Sequence, residues 1–260
     1  MDMWLRLVEE LDRWSDDGKT ATFWWRDDDA VAPTSQLELL LAHAQSIPLA
    51  LSVIPGSVTS DLAERVRDVQ SVVVLQHGWA HRNYMPAGRS EFPSSRSEQE
   101  VARELAEGRR RLSDLFGEQA IAAFVPPWHM FDDRFLPLLP RNGLAWISRK
   151  GPRPSLYAAS DLLQVNAHVA PIRWSIPPDF DDEAESVSSI VDHLRGRRIG
   201  RYDGDEPTGL LTHHLVQNAR SYNFISRLIG VIAKHTAGAW VGARDFFPFD
   251  QGRREIRARS

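Results

Sequence analysis

The sequence predicts a single α/β domain whose parallel strands close into a barrel. Predicted strands and helices alternate along the 260 residues, which is typical of right-handed βαβ units around a parallel sheet. Residues 72–75 are an unbroken Val-Val-Val-Leu run, the composition of a strand that is buried on both faces. Seven or eight such strands favour closure into a barrel over an open sheet, and single barrels of this length are common.

The strands are predicted from short apolar runs that stop at Gly, Pro or polar residues. The run at 72–75 gives way directly to Gln76 and His77, so the end of this strand carries polar groups. In chain order, the predicted strands cover residues 21–25, 49–54, 72–75, 121–125, 144–147, 162–166, 209–211 and 239–241.

Amphipathic helices are predicted between these strands and before the first one. The first helix has Asp2 as its N-cap candidate and stops at Gly18. Two later helices open with a capping box, a serine followed three residues on by a glutamate; the pairs are Ser35 with Glu38 and Ser97 with Glu100. We therefore divide the chain into an N-terminal helix packed on the barrel (1–18), the barrel (19–250) and a basic tail (251–260).

Composition excludes several classes of function. A net charge of −4 and a pI near 6.1 give no broad basic field, which argues against nucleic acid as a partner. A signal peptide needs an uninterrupted apolar core, and acidic residues interrupt the N-terminal segment here. No run reaches the ~20 apolar residues of a membrane span. We expect a soluble, cytoplasmic protein that binds a small molecule or an oligosaccharide; its oligomeric state stays open.

The chain has no cysteine, so any bound metal must be held by histidine and carboxylate. Such residues cluster directly after five of the predicted strands. Because the carboxyl ends of barrel strands meet at one rim, these clusters are expected to converge there. They are Asp27–Asp29, His77 with His81, Pro126–His129, Asn166 with His168, and His213 with His214.

The chemistry that these side chains permit is narrow. Two imidazoles and one carboxylate make a three-ligand site for a divalent ion and leave one position open for water. Such an ion lowers the pKa of its water to ~7 and polarises a carbonyl oxygen. A second carboxylate can take the proton of the water, and an imidazole opposite can protonate a departing amine. The set indicates hydrolysis of an amide or an ester.

The order of the clusters resembles the polysaccharide deacetylase-like family of metal-dependent hydrolases, whose barrel is a distorted (β/α)7 type. That family carries an Asp-Asp motif, an HxxxH motif, an Arg-Pro-Pro motif, an Asp/Trp motif and a Leu-x-His motif, in this order. The match extends over roughly residues 20–245. The corresponding segments here are 28–29, 77–81, 125–128, 170–174 and 211–213.

The resemblance implies that Asp29, His77 and His81 are the metal ligands. It also implies that Asp28 is the catalytic base and His213 the general acid. Three consecutive aspartates leave a second register open, with Asp27 and Asp28 as base and ligand; the small residue after Asp29 favours the first register. The ion is expected to be Zn²⁺, with Co²⁺, Ni²⁺ or Fe²⁺ as alternatives.

Further side chains are expected near the substrate or on the rim. Those expected to contact substrate are Arg26, Trp79, Pro127, Trp128 and Trp174. His129, His168 and His214 are rim residues without an assigned role, and His168 is a further ligand candidate.

Two positions depart from the family pattern. The arginine that precedes Pro-Pro and orients the catalytic aspartate is Val125 here, and Arg26 is the candidate to replace it. The aspartate of the later motif is missing, with Ala170 in its neighbourhood. We predict an enzyme that removes an acetyl group from an N-acetylated sugar or related small glycan. The alternatives are hydrolysis of a non-sugar C–N bond and a non-catalytic glycan-binding relic of the barrel.

Overall fold

The structure, a computed structural model, describes residues 2–246. Within these residues it contains eleven strands and seven α-helices, which alternate except for a run of five short strands over residues 146–180. The strands are β1 (Ala21–Ala30), β2 (Leu49–Val53), β3 (Val72–His77), β4 (Ala120–Val125), β5 (Trp146–Ile147), β6 (Tyr157–Ala159), β7 (Leu162–Gln164), β8 (Ile172–Arg173), β9 (Asp179–Phe180), β10 (Thr208–Thr212) and β11 (Gly238–Trp240). The helices are α1 (Met3–Asp16), α2 (Ser35–His43), α3 (Ser60–Val66), α4 (Glu98–Phe116), α5 (Leu138–Arg141), α6 (Glu183–Arg198) and α7 (Ala219–Lys234).

Seven parallel strands form a closed barrel, which confirms the predicted fold class. Their order in the sheet is β10, β1, β2, β3, β4, β5 and β7, and every neighbouring pair is parallel. The segment after β7 returns to β10, where Val169 pairs with Leu210 and its carbonyl accepts the Leu211 N–H at 2.8 Å. This pairing closes the ring. The remaining strands of the main sheet are additions to it: β6 lies antiparallel on β7, and β11 pairs with the start of β1.

Strand β3 is buried along its whole length, as its Val-Val-Val-Leu run predicts. Alternate side chains enter two different apolar clusters, because successive residues of a strand face opposite sides. Val73 and Leu75 pack with Trp24 and Trp146 of neighbouring strands. Val72 and Val74 pack in the cluster that contains the apolar faces of the helices. The barrel therefore has apolar residues both inside it and between its strands and helices.

Strand β1 continues through the three aspartates, so the predicted end of this strand at residue 25 is wrong. The pairing of β1 with β2 shifts register between Asp27 and Ala30, and Asp29 has a φ of 75°. This irregularity is a β-bulge, which redirects side chains at the end of a strand. Polar residues are compatible with the strand here because Asp27 and Asp28 each have buried hydrogen-bond partners.

The predicted helix starts are confirmed at Asp2 and at Ser97, where Ser97 and Glu100 form the capping box. For α2 the N-cap is Thr34 rather than Ser35, and its Oγ1 accepts the Leu37 N–H at 3.0 Å. The N-terminal helix α1 packs on α6. The predicted basic tail of residues 251–260 lies outside the described residues. No helix within residues 2–246 is both long and apolar enough to cross a membrane.

Candidate metal centre and its cavity

Asp29 contacts both imidazoles of the HxxxH segment. Its Oδ1 lies 3.0 Å from Nε2 of His77 and 3.3 Å from Nε2 of His81. The ligand atoms that the three residues offer all lie within 4.8 Å of one another. Strands β1 and β3 carry Asp29 and His77 at their carboxyl ends, and His81 follows four residues after His77. The structure thus brings together the three residues that the family resemblance implies as ligands.

The hydrogen bond of His77 Nδ1 leaves Nε2 as the ring nitrogen that faces Asp29. Its Nδ1 lies 3.0 Å from the Val125 carbonyl, which can only accept, so Nδ1 carries a proton. In the neutral ring Nε2 is then a lone pair that faces the Asp29 carboxylate. Burial lowers the pKa of His77, but Asp28 and Asp29 outweigh burial and the net shift is upward, because the two carboxylates favour a positive charge at this position. Two electron-pair donors at this distance fit a shared cation, and His₂Asp is a donor set for a divalent transition metal.

Asp28 is buried beside Arg26. The Arg26 guanidinium contacts both carboxylate oxygens, with Nε 2.9 Å from Oδ1 and a hydrogen bond of 3.0 Å from an NH₂ nitrogen to Oδ2. The other NH₂ nitrogen of Arg26 donates to Ser148 Oγ at 2.6 Å. Burial raises the pKa of Asp28, yet Arg26 and the nearby imidazoles hold it well below its usual range. Arg26 thus has the contact with Asp28 that was expected of a replacement for the family arginine. Val125 itself packs inside the barrel.

Asp27 has a separate set of partners on the other side of β1. Its Oδ2 accepts from Thr212 Oγ1 at 2.6 Å and from the His214 N–H at 3.0 Å, while Oδ1 lies 2.5 Å from His214 Nδ1. Burial lowers the pKa of His214 and Asp27 raises it, with a net rise. The alternative register, with Asp27 and Asp28 as base and ligand, is therefore not the arrangement that the structure brings together.

The turn between the two histidines depends on Glu91, a residue for which the sequence contained no signal. Its buried carboxylate accepts the backbone N–H groups of Ala80 at 2.7 Å and Trp79 at 3.1 Å. Gly78 has a φ of 57°, and a Cβ there would lie 2.0 Å from Glu91 Oε2 and 2.6 Å from Pro127 Cγ. Only glycine fits this position, so Gly78 and Glu91 together fix the backbone of the turn that leads from His77 to His81.

A cavity of about 360 Å³ opens over the metal ligands. Asp28 and His213 line it with the three ligands, and Trp128 and Trp174 contribute aromatic walls. The other lining residues are Arg89, His129, Lys150, Ala170 and Leu211. The cavity therefore combines the donor set, a second carboxylate and a further imidazole in one space.

The aromatic walls contact the imidazoles directly. The Trp128 and His81 ring centroids are 4.4 Å apart, and the Trp174 ring stands edge-on to His213 at 4.9 Å. Trp128 has a φ of 53° and His129 a φ of 62°, conformations that non-glycine residues rarely adopt. Burial and the charge of Arg26 lower the pKa of His129 to about 3, so its ring is neutral near pH 7. Within residues 2–246 the buried His213 Nδ1 has no hydrogen-bond partner.

No protein-family model and no curated protein matches the sequence. Solved structures match it over most of its length. A Mycobacterium smegmatis protein assigned as a polysaccharide deacetylase matches with a TM-score of 0.59 and 14% identity, over 94% of this chain and 92% of that chain. An acetyl xylan esterase of family 4 from Clostridium thermocellum, in complex with cobalt, has a TM-score of 0.55 and 13% identity, over 87% and 90%. This chain has the polysaccharide deacetylase fold.

The resemblance drawn from the motifs is thereby confirmed at the level of the fold. Structures with the polysaccharide deacetylase fold are not all active, however. A CE4 family pseudoenzyme from Bacillus anthracis matches with a TM-score of 0.54 and 12% identity, over 87% of this chain and 65% of that chain. Because function depends on the site rather than on the fold, the activity has to be argued from the cavity residues.

Several of the residues expected near substrate do not line the cavity. Trp79 faces a separate groove against α4, with Arg103 and Arg110 among its neighbours. Trp79 lies in the turn held by Glu91, between the two histidines that contact Asp29, and its side chain points towards α4 instead. Pro127 is buried against Gly78, and Arg26 is buried behind Asp28. Trp128 and Trp174 are at the cavity as predicted.

His168 belongs to a second polar cluster with His193 and Glu206, away from the cavity lining. Its Nδ1 accepts the Gly209 N–H at 2.9 Å, so the proton of the neutral ring lies on Nε2, 3.3 Å from Glu206 Oε2. A protonated nitrogen cannot bind a metal ion. His168 is therefore not placed to bind an ion together with Asp29, His77 and His81.

Proposed function

We propose that this protein is a metal-dependent hydrolase that removes an acetyl group from an N-acetylated sugar or a related small glycan. The observation that carries the proposal is the convergence of Asp29, His77 and His81 at one end of a cavity that Asp28 and His213 also line. These three residues would hold a divalent ion, with Zn²⁺ preferred. When bound, the ion would supply Lewis acidity towards the acetyl carbonyl and acidify a water molecule.

Asp28 is the proposed general base. Arg26 and the nearby imidazoles hold the pKa of Asp28 low, so the carboxylate is ionised near neutral pH. A carboxylate of this kind is a weak base, and the acidity that a bound divalent ion would give to water is what would allow it to accept the proton. The two contacts from Arg26 fix the carboxylate plane, and Ser148 in turn holds the guanidinium. Each carboxylate oxygen has two lone pairs, so the contacts with Arg26 still leave an acceptor position for the proton.

His213 is the proposed general acid, which gives a proton to the departing nitrogen. It lines the same cavity from the end of β10 and stands edge-on to Trp174. The ring of Trp174 is 59% exposed, so a sugar ring has access to its face. Trp128 is the second proposed aromatic contact for the sugar.

A non-catalytic glycan-binding protein is the second candidate. It is favoured by His213 Nδ1, which has no hydrogen-bond partner within residues 2–246. A general acid is usually held in a fixed orientation by such a partner, for example a carboxylate. A non-sugar amidase would use the same Asp28 and His213, and it differs from the first candidate only in the substrate it accepts.

Acetate release from N-acetylated sugars by metal-supplemented protein tests the proposal. Asp28→Asn removes the base and keeps the volume, so we expect turnover to fall at least about 100-fold, within the range of general base catalysis. Asp12→Asn, an exposed aspartate of α1, is the matched control and is expected to leave turnover unchanged. Acetate release that the wild type and Asp28→Asn share equally would refute the mechanism. Absence of release from all sugars, with release from simple amides, would establish the amidase.

A further inference from the structure

Two cationic side chains line the cavity without an acidic partner. Arg89 and Lys150 are both exposed lining residues, and neither side chain has an ion pair or hydrogen bond within residues 2–246. Two arginines near Lys150 in the chain do have acidic partners: Arg149 pairs with Asp133 and Arg153 with Asp203, each at 2.8 Å. In a chain with net charge −4, two unpaired cations at one cavity are available for a ligand.

The two cations come from different elements, and local structure holds the backbone of each. Lys150 follows β5, and its backbone pairs with Ala167 in a parallel bridge. Arg89 lies in the loop after β3. The next residue, Ser90, donates its N–H to Asn83 Oδ1 at 3.0 Å, and its carbonyl accepts the Tyr84 N–H at 2.9 Å. The backbone positions of both cations are therefore defined, while their long side chains keep the freedom to reach a ligand.

The electrostatic balance of the cavity is positive. Arg89 and Lys150 match the two lining carboxylates, Asp28 and Asp29, and Arg26 pairs with Asp28 from behind, so a bound divalent ion would add to a positive balance. The field of Lys150 extends into the cavity, since its charge contributes to the lowered pKa of His129 after burial and Arg26. A neutral sugar does not use these charges, whereas an anionic one gains charge-assisted hydrogen bonds.

We propose that the substrate carries an anionic group, a carboxylate or a phosphate, beside its acyl group, and that Lys150 and Arg89 bind this group. This inference rests on the proposed function and narrows it from N-acetylated sugars in general to acidic ones. The aromatic rings of Trp128 and Trp174 contact the sugar, and the two cations select its charge. Each cation is expected to contribute about 10-fold to affinity, the effect of one charge-assisted hydrogen bond.

Binding of three sugars that contain no amide tests this without turnover. Glucose is the neutral probe, glucuronic acid carries a carboxylate, and glucose 6-phosphate carries a phosphate; each is titrated calorimetrically into metal-loaded protein. We expect at least one anion to bind about 10-fold or more tightly than glucose, and the stronger one identifies the acidic group. Lys150→Gln and Arg89→Gln should each reduce this preference. Lys19→Gln, an exposed lysine at the end of α1, should preserve it.

Two results would overturn the inference. One is equal affinity for all three sugars, and the other is an anion preference that survives in the Lys150→Gln/Arg89→Gln double variant, since the anion would then bind the metal alone. Acetate release separates this inference from the proposed function. Equal KM for a neutral N-acetylated sugar and its acidic counterpart refutes the anion site only. Intact anion preference without acetate release from any substrate refutes the deacetylase function only.

Discussion

Glu91→Gln is expected to weaken metal binding although Glu91 is not a ligand. The carboxylate accepts the N–H groups of Ala80 and Trp79 from its two oxygens. Glutamine keeps the shape but turns one arm into an NH₂ donor, which faces a backbone donor at about the same distance. One charge-assisted bond is lost, which costs about 1.5–3 kcal/mol. Because burial raises the pKa of Glu91 against these hydrogen bonds, the neutral side chain recovers part of this cost.

The net effect on the turn between His77 and His81 is about 1.4–2.7 kcal/mol, which corresponds to a 10- to 100-fold loss of metal affinity. Competition with a chromogenic chelator measures this affinity, and a thermal unfolding series with and without metal separates binding from folding. Glu10→Gln is the matched control, because Glu10 is also a buried glutamate but pairs with Arg198, in the contact between α1 and α6. Metal affinity of Glu91→Gln within twofold of the wild type would refute the role assigned to this carboxylate.

Three further predictions follow from the same contacts. Arg26→Gln removes the ionic contacts that orient Asp28, so turnover should fall about 10- to 100-fold with the metal content retained; equal turnover would contradict the orienting role. Gly78→Ala places a methyl group against Glu91 and Pro127 at a positive φ, so metal affinity should fall with a loss of stability of at least about 1 kcal/mol, measured by urea unfolding. Burial, with the charge of His168, lowers the pKa of His193 to about 2. The unfolded chain then binds one more proton below the ordinary pKa of ~6.5, so stability should decrease as the pH falls below it, by up to about 1.4 kcal/mol per pH unit. Urea unfolding at a series of pH values measures this dependence, and His193→Gln should make the free energy of unfolding less dependent on pH. An unchanged dependence in the variant would show that another group causes it.

The architecture was predictable because apolar runs and strand ends are local features. The run before His77 identified a fully buried strand, and the polar clusters after five strands indicated a common rim. The extension of β1 through Asp29 was not predictable, since consecutive aspartates usually mark a turn. Partners that lie far along the chain make the strand possible: Thr212 and His214 bind Asp27, and Ser148 binds the Arg26 side chain that contacts Asp28.

The site was predictable only in part for a related reason. The pattern of the motif includes His77 and His81, but the backbone turn between them is held by Glu91, which lies ten residues after His81 in an irregular loop. For that reason Trp79, whose position suggests a sugar contact, faces α4 instead. Arg89 and Lys150 form no motif at all, and their shared cavity became evident only from the fold.

The most direct test is the metal content of purified protein, measured by elemental analysis on the wild type and on the His77→Gln/His81→Gln pair after incubation with Zn²⁺ and desalting. His235→Gln is the matched control, because His235 lies at the end of α7 and pairs with Asp12. We expect near-stoichiometric metal in the wild type and in the control, and its loss in the pair. Wild-type protein that binds no divalent ion, or a pair that retains it in full, would contradict the assignment of Asp29, His77 and His81 as a metal centre.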